Sequence, residues 1–365
     1  MKNKIIIYVS VLLTFILCHL VTGCSTSKED ISTDSFLFCV QRPQSIDVET
    51  KAELINGSER TEISNAWIVQ YTADSNNLLH CVYTESGFNE INNGYMVEIK
   101  PIDNDFTVTA SDFYIILNGG SELLKNFKEE IDHSRAALAR KICPRPTDII
   151  TRPSLLTAGP ASYTESTEVT KIVFVSRVYR AFAKFSLNVK FPTSKDIFVV
   201  SDATVTNIPK SMALYTGNNA SYPDINDIET TPIKLAGVST SGTASFYMPE
   251  NIRGTGASLT FQGKNVASNG PGGNLDGCTY LTLKGKYYYD KTQSGGSYVQ
   301  DPIDVEYRFY LGSNLTNDYN IRRDHHYNLT INLKGANSAD LRVTITNGNV
   351  AVFDEVETIE NKVDF

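Results

Sequence analysis

Apolar and polar residues alternate strictly in several segments of the second half of the chain. The alternation runs through residues 185–191, 327–333 and 341–346, where every second residue is apolar. A period of two places one face of a β-strand on a core and the other in water, as in antiparallel sandwiches. Segments rich in glycine, serine and asparagine, such as 268–277 and 295–297, separate the runs. The pattern therefore predicts a mainly β protein built of antiparallel sandwiches rather than a parallel sheet.

The first half of the chain predicts shorter strands and one helix. Strands are predicted at residues 63–71, 96–100 and 113–117. A turn signal, Asn-Gly-Gly at 118–120, follows the third strand, and Ser121 then caps a predicted helix that reaches Ala139. Apolar residues at helical spacing indicate this helix, namely Leu123, Leu124, Phe127 and Ile131.

Prolines interrupt the segment 143–166 and limit what it can form. Proline fixes φ and donates no backbone hydrogen bond, so the segment is not expected to lie inside a helix or a central strand. Irregular strand and loop are predicted here, with the boundary between two domains within residues 160–171. The prolines are Pro144, Pro146, Pro153 and Pro160.

The N-terminus has the three parts of a secretory signal. Lys2 and Lys4 precede an apolar run at 5–17, which is shorter than the roughly 20 residues that span a bilayer as a helix. Val-Thr-Gly then precedes Cys24, which resembles a bacterial lipobox with Cys24 as the acylated residue. The Lys-Glu-Asp at 28–30 resembles the surface-export tag of Bacteroidota lipoproteins. The alternative is an ordinary cleaved signal peptide followed by a chance cysteine.

Length and charge narrow the classes of protein further. The 365 residues exceed the roughly 250–300 at which a single core stops growing, so two domains are expected. Apolar residues make up 41%, which excludes a disordered chain. The formal net charge is −8 and no basic block occurs, so nucleic acid is not an expected partner.

The sequence contains none of the common catalytic motifs. G-x-S-x-G, a P-loop and a G-x-G-x-x-G after a strand are all absent. Glu129 and Glu130 are interpreted as a solvated helix face. We predict no enzyme activity, no catalytic residues and no cofactor. A surface glycosidase remains an alternative, because its converging carboxylate pair could be distant in sequence.

Metal sites are not predicted either. His325 and His326 are adjacent in an alternating strand region, so their side chains point to opposite faces. Three acidic residues near 301–306 lack the spacing of a calcium loop, and four mature cysteines are too widely spaced for a zinc site. The acidic residues are Asp301, Asp304 and Glu306; the cysteines, which could be disulfide-bonded or single thiols, are Cys39, Cys81, Cys143 and Cys278.

Aromatic residues offer a second interpretation of function. Trp67 and the Tyr-Tyr-Tyr at 287–289 could form a platform that stacks against sugars. Aromatic residues in strands more often pack in a core or in cross-strand pairs. The platform nevertheless makes a surface glycan-binding lipoprotein the alternative function.

Four segments, in their order and spacing, resemble the fimbrillins of Bacteroidota, the subunits of donor-strand (type V) pili. The most specific is Tyr-Asn-Ile-Arg-Arg-Asp-His-His-Tyr at 319–327, which leads into an alternating strand and Gly335. The segment 175–184 resembles the Arg-centred strand that opens the C-terminal domain of the family. The remaining two are the strand, turn and helix of 113–127 and the Val-Thr-Asn-Ile-Pro of 205–209.

The resemblance implies a fold and a domain division. It implies two transthyretin-like antiparallel β-sandwich domains, with one short helix in the first. The expected division is a lipoprotein signal peptide at 1–23, a tether and removable first strand at 24–60, an N-terminal domain at 61–168, and a C-terminal domain with a tail strand at 169–365. The tail departs from the family because it lacks the Trp found near the end of some shaft subunits.

The resemblance also implies a function and a location. It implies a fimbrial subunit that is exported as an outer-membrane lipoprotein precursor, cut after a basic residue, and assembled at the cell surface for adhesion. The groove left by the removed strand would accept a strand from a neighbouring subunit. Expected partners are other fimbrial subunits, the outer membrane before maturation, and a host or bacterial surface ligand.

Candidate residues for strand exchange lie near both ends of the chain. Phe36–Val40 is a short apolar run between polar stretches, as expected of a removable strand. The candidate cleavage sites are Arg60 first, then Lys51, then Arg42, which precedes a proline. The donor strand is expected within 347–365, where Val350, Val352 and Val356 share one strand face. The alternative is that Phe36–Val40 is a permanent edge strand and the tail packs on its own domain.

Overall fold

The computed structural model describes the chain in separate ranges. They are residues 36–41, 62–73, 75–91, 94–99, 111–162, 172–191, 196–215, 222–288, 293–294, 297–298, 302–335 and 338–347. Within these ranges the chain is mainly β, as predicted. No helix in this part of the chain is long and apolar enough to cross a membrane.

Eight of the nine strands of the first half form one sheet, while β7 pairs with Ser211–Ala213 of the second half. The order of this sheet is β3-β2-β6-β8-β9-β1-β5-β4. The strands of this half are β1 (Phe36–Gln41), β2 (Ala66–Thr72), β3 (Leu78–Thr84), β4 (Phe88–Ile91), β5 (Gly94–Ile99), β6 (Ser111–Leu117), β7 (Ile142–Pro144), β8 (Leu156–Ser162) and β9 (Ile172–Arg180).

Two four-stranded sheets of the second half enclose one core. Their orders are β16-β10-β21-β22 and β15-β11-β17-β20. The strands are β10 (Phe182–Lys190), β11 (Ile197–Thr206), β12 (Ile208–Pro209), β13 (Ser211–Ala213), β14 (Ile228–Glu229), β15 (Ile233–Lys234), β16 (Thr243–Pro249), β17 (Tyr280–Tyr288), β18 (Gln293–Ser294), β19 (Ser297–Tyr298), β20 (Ile303–Tyr310), β21 (His325–Gly335) and β22 (Ser338–Asn347).

The alternation seen in the sequence becomes the core of this sandwich. In β10 the odd-numbered residues from Phe185 to Val189 are buried, and the even-numbered ones face outward. Phe185 stacks between Phe246 and Tyr327, with ring centroids 4.7 Å away on each side. The predicted antiparallel sandwich is thus confirmed, although β10 and β21 run parallel to each other.

The helix predicted from Ser121 to Ala139 is wrong as one continuous element. Phe127–Glu129 forms a single 3-10 turn, and α1 is the short helix Arg135–Arg140, capped by the Ser134 side chain. Ile131, expected on the buried face, is fully exposed. The residues at helical spacing instead pack separately, with Leu124 and Phe127 buried against β2 and β6. In the described ranges the other α-helices are α2 (Val238–Ser241) and α3 (Phe261–Lys264).

The expectation that no proline of the 143–166 segment lies in a central strand is wrong for Pro160. Pro160 belongs to β8, which lies between β6 and β9. The strand accommodates it at a register shift between Phe113 and Ile115 of β6. Gly159 has a φ of 139° at this bulge, a conformation that favours glycine. A bulge removes the need for the ladder hydrogen bond that proline cannot donate.

The two halves of the described chain meet at a very short connection. β9 ends at Arg180 in the eight-stranded sheet, and β10 begins at Phe182 in the second sandwich. Ala181, between them, is fully buried in the first core. The domain ranges 61–168 and 169–365 stay a prediction.

Candidate strand-exchange site

The first described strand, β1, lies inside a sheet rather than at its edge. It pairs parallel with β9, from Phe36 opposite Ile172 to Gln41 opposite Arg177. On its other side it pairs antiparallel with β5, with Phe38 opposite Val97. The alternative that Phe36–Val40 is an edge strand is therefore wrong.

Loss of β1 would expose two strand edges at once. The facing edges of β9 and β5 would each lose a ladder of backbone hydrogen bonds, and unpaired backbone groups are costly unless another strand or water satisfies them. An extended segment of at least the six residues of β1 would restore both ladders. Removal of β1 would thus leave a gap between β9 and β5 into which one extended strand fits.

The second sandwich contains the same arrangement around β10. This strand pairs parallel with β21 and antiparallel with β16. Phe185, near its centre, is opposite Phe246 and Tyr327. β1 and β10 are therefore equivalent positions: each is the first strand of its half and is inserted between a parallel and an antiparallel neighbour.

A buried ion pair attaches the end of β9 to the second sandwich. Arg180 Nη1 lies 3.0 Å from Asp324 Oδ1, and the Asp324 side chain is fully buried. The Asp324 backbone N–H donates to the Phe182 carbonyl oxygen at 2.8 Å. Burial raises the pKa of the Asp324 carboxyl, while the Arg180 guanidinium opposes that rise. The strand that borders β1 is thus held by the turn that opens β21.

The neighbouring residue, Arg323, makes a second attachment. Its Nε lies 3.2 Å from Glu250 Oε2, and both side chains are nearly buried. Its Nη1 donates to the carbonyl oxygen of Leu214, which packs in the first core. Arg323 therefore links the turn before β21 to the core of the first half.

These attachment residues fall inside two of the segments that resemble fimbrillins. The sequence patterns around Arg180 and Asp324 indicated the family but predicted no contact between them, since they are 144 residues apart. The only local signal is the run of two Arg and one Asp directly before an alternating strand.

The last described strand, β22, lies at an edge. It pairs with β21 alone, and the antiparallel register places Asn347 opposite His325. The chain therefore leaves β22 at the end of the sandwich where Asp324 attaches β9.

The residues predicted for lipidation, cleavage and donation lie outside the described residues. These are Cys24 for lipidation; Arg60, Lys51 and Arg42 for cleavage; and Val350, Val352 and Val356 for the donor face. Their roles stay predictions.

Residues considered for other chemistry have structural partners. His325 Nδ1 lies 2.7 Å from the Arg323 carbonyl oxygen, and His326 Nε2 lies 2.9 Å from Ser186 Oγ. Lys286 and Lys284 pair with the two acidic residues of β20. Among the described residues, no group of three or more potential ligands could hold a metal ion.

The proposed aromatic platform and the cysteines are mostly buried. Trp67 is buried in the first core and donates to the Gly120 carbonyl oxygen, whereas Tyr287 is buried in the second core. The two rings therefore share no surface. Burial raises the pKa of the Cys81 and Cys278 thiols to about 12, and both are free, as is Cys143.

Solved structures share this fold along most of the chain. A candidate cell-adhesion protein of Parabacteroides distasonis matches with a TM-score of 0.53 and 9% identity, over 87% of this chain and 99% of that one. A second one from the same organism matches with a TM-score of 0.51 and 12% identity, over 86% and 96%. The chain has the fold of these two candidate cell-adhesion proteins.

A fimbrial protein and one family model also match, over different lengths of the chain. A fimbrilin of Porphyromonas gingivalis matches with a TM-score of 0.49 and 14% identity, over 86% of this chain and 97% of that one. A family model described as a domain of unknown function, DUF4906, matches residues 246–331. No curated protein matches the sequence.

Proposed function

We propose that this protein is a fimbrial subunit that is exported as a lipoprotein and assembled by donor-strand exchange. The observation that carries the proposal is the position of β1, between β9 and β5 and before a segment with three basic residues. One cut within residues 42–61 would separate β1 from the rest of the chain. The fold shared with candidate cell-adhesion proteins and the resemblance of four segments to fimbrillins support the same assignment, and they favour a non-enzymatic role in adhesion.

Filament growth follows from the two ends of the chain. The groove between β9 and β5 of one subunit would accept the tail of a second subunit. The tail of the first subunit would in turn enter the groove of a third. The same contact repeated head to tail gives an open filament rather than a closed ring. Val350, Val352 and Val356 would supply the apolar face of the donor, while its backbone would restore both ladders.

Crosslinking between subunits tests the exchange. Val97 of β5 is opposite Phe38 in the register, so Val97→Cys in one subunit and Val352→Cys in another should form an intersubunit disulfide in assembled material. Val199→Cys, on the exposed face of β11, is the matched control and should not crosslink to Val352→Cys. Crosslinks confined to single chains whose N-terminus is uncut would contradict the proposal.

The lipid anchor has a separate test. Cys24→Ser should abolish acyl labelling and surface delivery, because the thiol is the expected attachment site. Cys18→Ser, within the apolar run of the signal, is the control and should leave labelling unchanged. Normal labelling of Cys24→Ser would show that Cys24 is not the lipidated residue.

A further inference from the structure

The outer face of the sheet β16-β10-β21 carries a regular grid of small polar side chains. The register places Ser245, Ser186 and Asn328 side by side on the three strands. Two residues along, it places Thr243, Asn188 and Thr330 in the same way. All six are at least partly exposed, so their hydroxyl and amide groups face solvent as two rows of three. We call these six residues the polar grid.

Longer side chains bound the polar grid along the strands. The row on one side contains Tyr247, Lys184 and His326, and the row on the other contains Lys190 and Asn332. The short side chains between these rows leave a shallow cavity of about 420 Å³, lined by the grid.

The opposite face of the same sandwich carries charged pairs, whereas in the polar grid's own sheet the register places charged residues only at the border of the grid, with Arg342 of β22 opposite Thr330. On β17 and β20 the outward side chains form ion pairs, Lys284 with Glu306 and Lys286 with Asp304, each at 3.2 Å. The polar grid instead consists of six groups that can each both donate and accept hydrogen bonds, and one of them, the Ser186 hydroxyl, already pairs with His326 Nε2 at 2.9 Å.

A rigid core supports the polar grid. Phe185, directly before Ser186, is fully buried in a stack of three rings that spans all three strands. Sites on packed strands hold their side chains more accurately than sites on loops. The spacing of the grid, about 5 Å between strands and about 7 Å along them, is therefore fixed.

We propose that the polar grid binds carbohydrate. Groups that both donate and accept hydrogen bonds match the hydroxyls of a sugar. Because the six grid residues are uncharged, they do not require a charged ligand. Lys184 and Lys190 lie at opposite ends of the β10 row, so an acidic sugar would gain attraction at either end. The floor contains no aromatic ring, so each site binds weakly, and display in many copies on a cell surface raises the avidity.

An oligosaccharide array with neutral and acidic members tests the site. The purified full chain should bind at least one class, and Ser245→Arg and Asn328→Arg should each weaken binding about tenfold, because each long side chain fills the cavity and covers its neighbours in the grid. Ser201→Arg, at an exposed position of β11, is the matched control and should bind normally. Preference for the acidic members would assign a role to Lys184 and Lys190.

Two further measurements separate the outcomes. Amide resonances of the grid strands should shift when the bound oligosaccharide is added, and Thr243→Arg replaces any grid variant that does not fold. Absence of binding to both classes, or equal binding by the grid variants, would overturn the proposal, as would self-association that the grid variants abolish without any sugar binding. Intersubunit crosslinking through Val97→Cys and Val352→Cys is independent of the polar grid, so failure of assembly and failure of sugar binding are distinguishable.

Discussion

β1 and β10 hold equivalent places in their sheets, yet the chain holds them differently. β10 follows β9 after one buried residue, so it cannot leave without unfolding both halves. β1 is followed by the polar segment 42–61, which contains Arg42, Lys51 and Arg60. Under the proposed exchange, the same strand arrangement would be permanent in the second half and replaceable in the first.

The lengths of the two strands also favour β1 as the strand that can be replaced. β10 has nine residues and β1 has six, so fewer backbone hydrogen bonds hold β1 on each side. A donor that pairs over a longer stretch than β1 would gain additional hydrogen bonds and apolar contacts. That difference would drive exchange toward the assembled state.

The largest effect is expected from substitutions at the centre of each strand. Phe185→Ala should lower the free energy of unfolding by about 3–5 kcal/mol, because it leaves a cavity between Phe246 and Tyr327. Phe38→Ala should destabilise the uncut chain but leave unchanged a chain cut after Arg60, from which β1 has been removed. Urea denaturation of cut and uncut proteins measures both. An equal loss in the cut and uncut Phe38→Ala proteins would show that β1 stays in place after cleavage.

The next effect concerns the attachment of β9, which should not depend on β1. Asp324→Ala should cost about 3 kcal/mol, because it leaves the partly buried Arg180 without its ion-pair partner. Glu306→Ala breaks only exposed pairs and should cost about 1 kcal/mol or less. If Asp324→Ala were no more destabilising than Glu306→Ala, the buried pair would not hold the two halves together.

Much of this fold could be predicted from local sequence, because strand alternation is a local property. The strands predicted at 185–191 and 327–333 are confirmed, since each has one face on a core and the other in solvent. The prediction of one helix from Ser121 is wrong, because apolar residues at helical spacing can also be buried by successive turns. Pro160 lies in an internal strand because the bulge at Gly159 interrupts the backbone hydrogen bonds that proline could not donate.

The candidate site was less predictable than the fold, because it depends on contacts between distant residues. The apolar run Phe36–Val40 predicted a strand, but nothing local to it predicts a parallel neighbour 136 residues away at Ile172. The pairing of Arg180 with Asp324 is equally non-local. The polar grid depends on the register of three strands. The sequence of one strand alone does not predict that Asn188 and Thr330 lie side by side.

The smallest expected effect is a dependence of the free energy of unfolding on pH, which arises from a lysine in the sandwich around β10. Lys264 of α3 is buried, and its Nζ donates to the Asn314 carbonyl oxygen at 2.6 Å and lies 5.1 Å from the centre of the Tyr319 ring. Burial lowers its pKa to about 7, although Asp318 opposes the change. Above pH 7 the unfolded chain therefore keeps a proton that the folded chain has lost, so stability rises with pH.

Measured as the free energy of unfolding, this rise should be about 2 kcal/mol between pH 7 and pH 9. Lys264→Met should remove the rise, because no amine then titrates in the folded state. Lys286→Met, at an exposed ion pair on β17, is the matched control and should keep it. The rise should be the same in cut and uncut chains, since Lys264 lies outside the sheet that contains β1. A rise that disappears on cleavage would mean that β1 and β10 belong to one cooperative unit, and the contrast between a replaceable and a permanent strand would not hold.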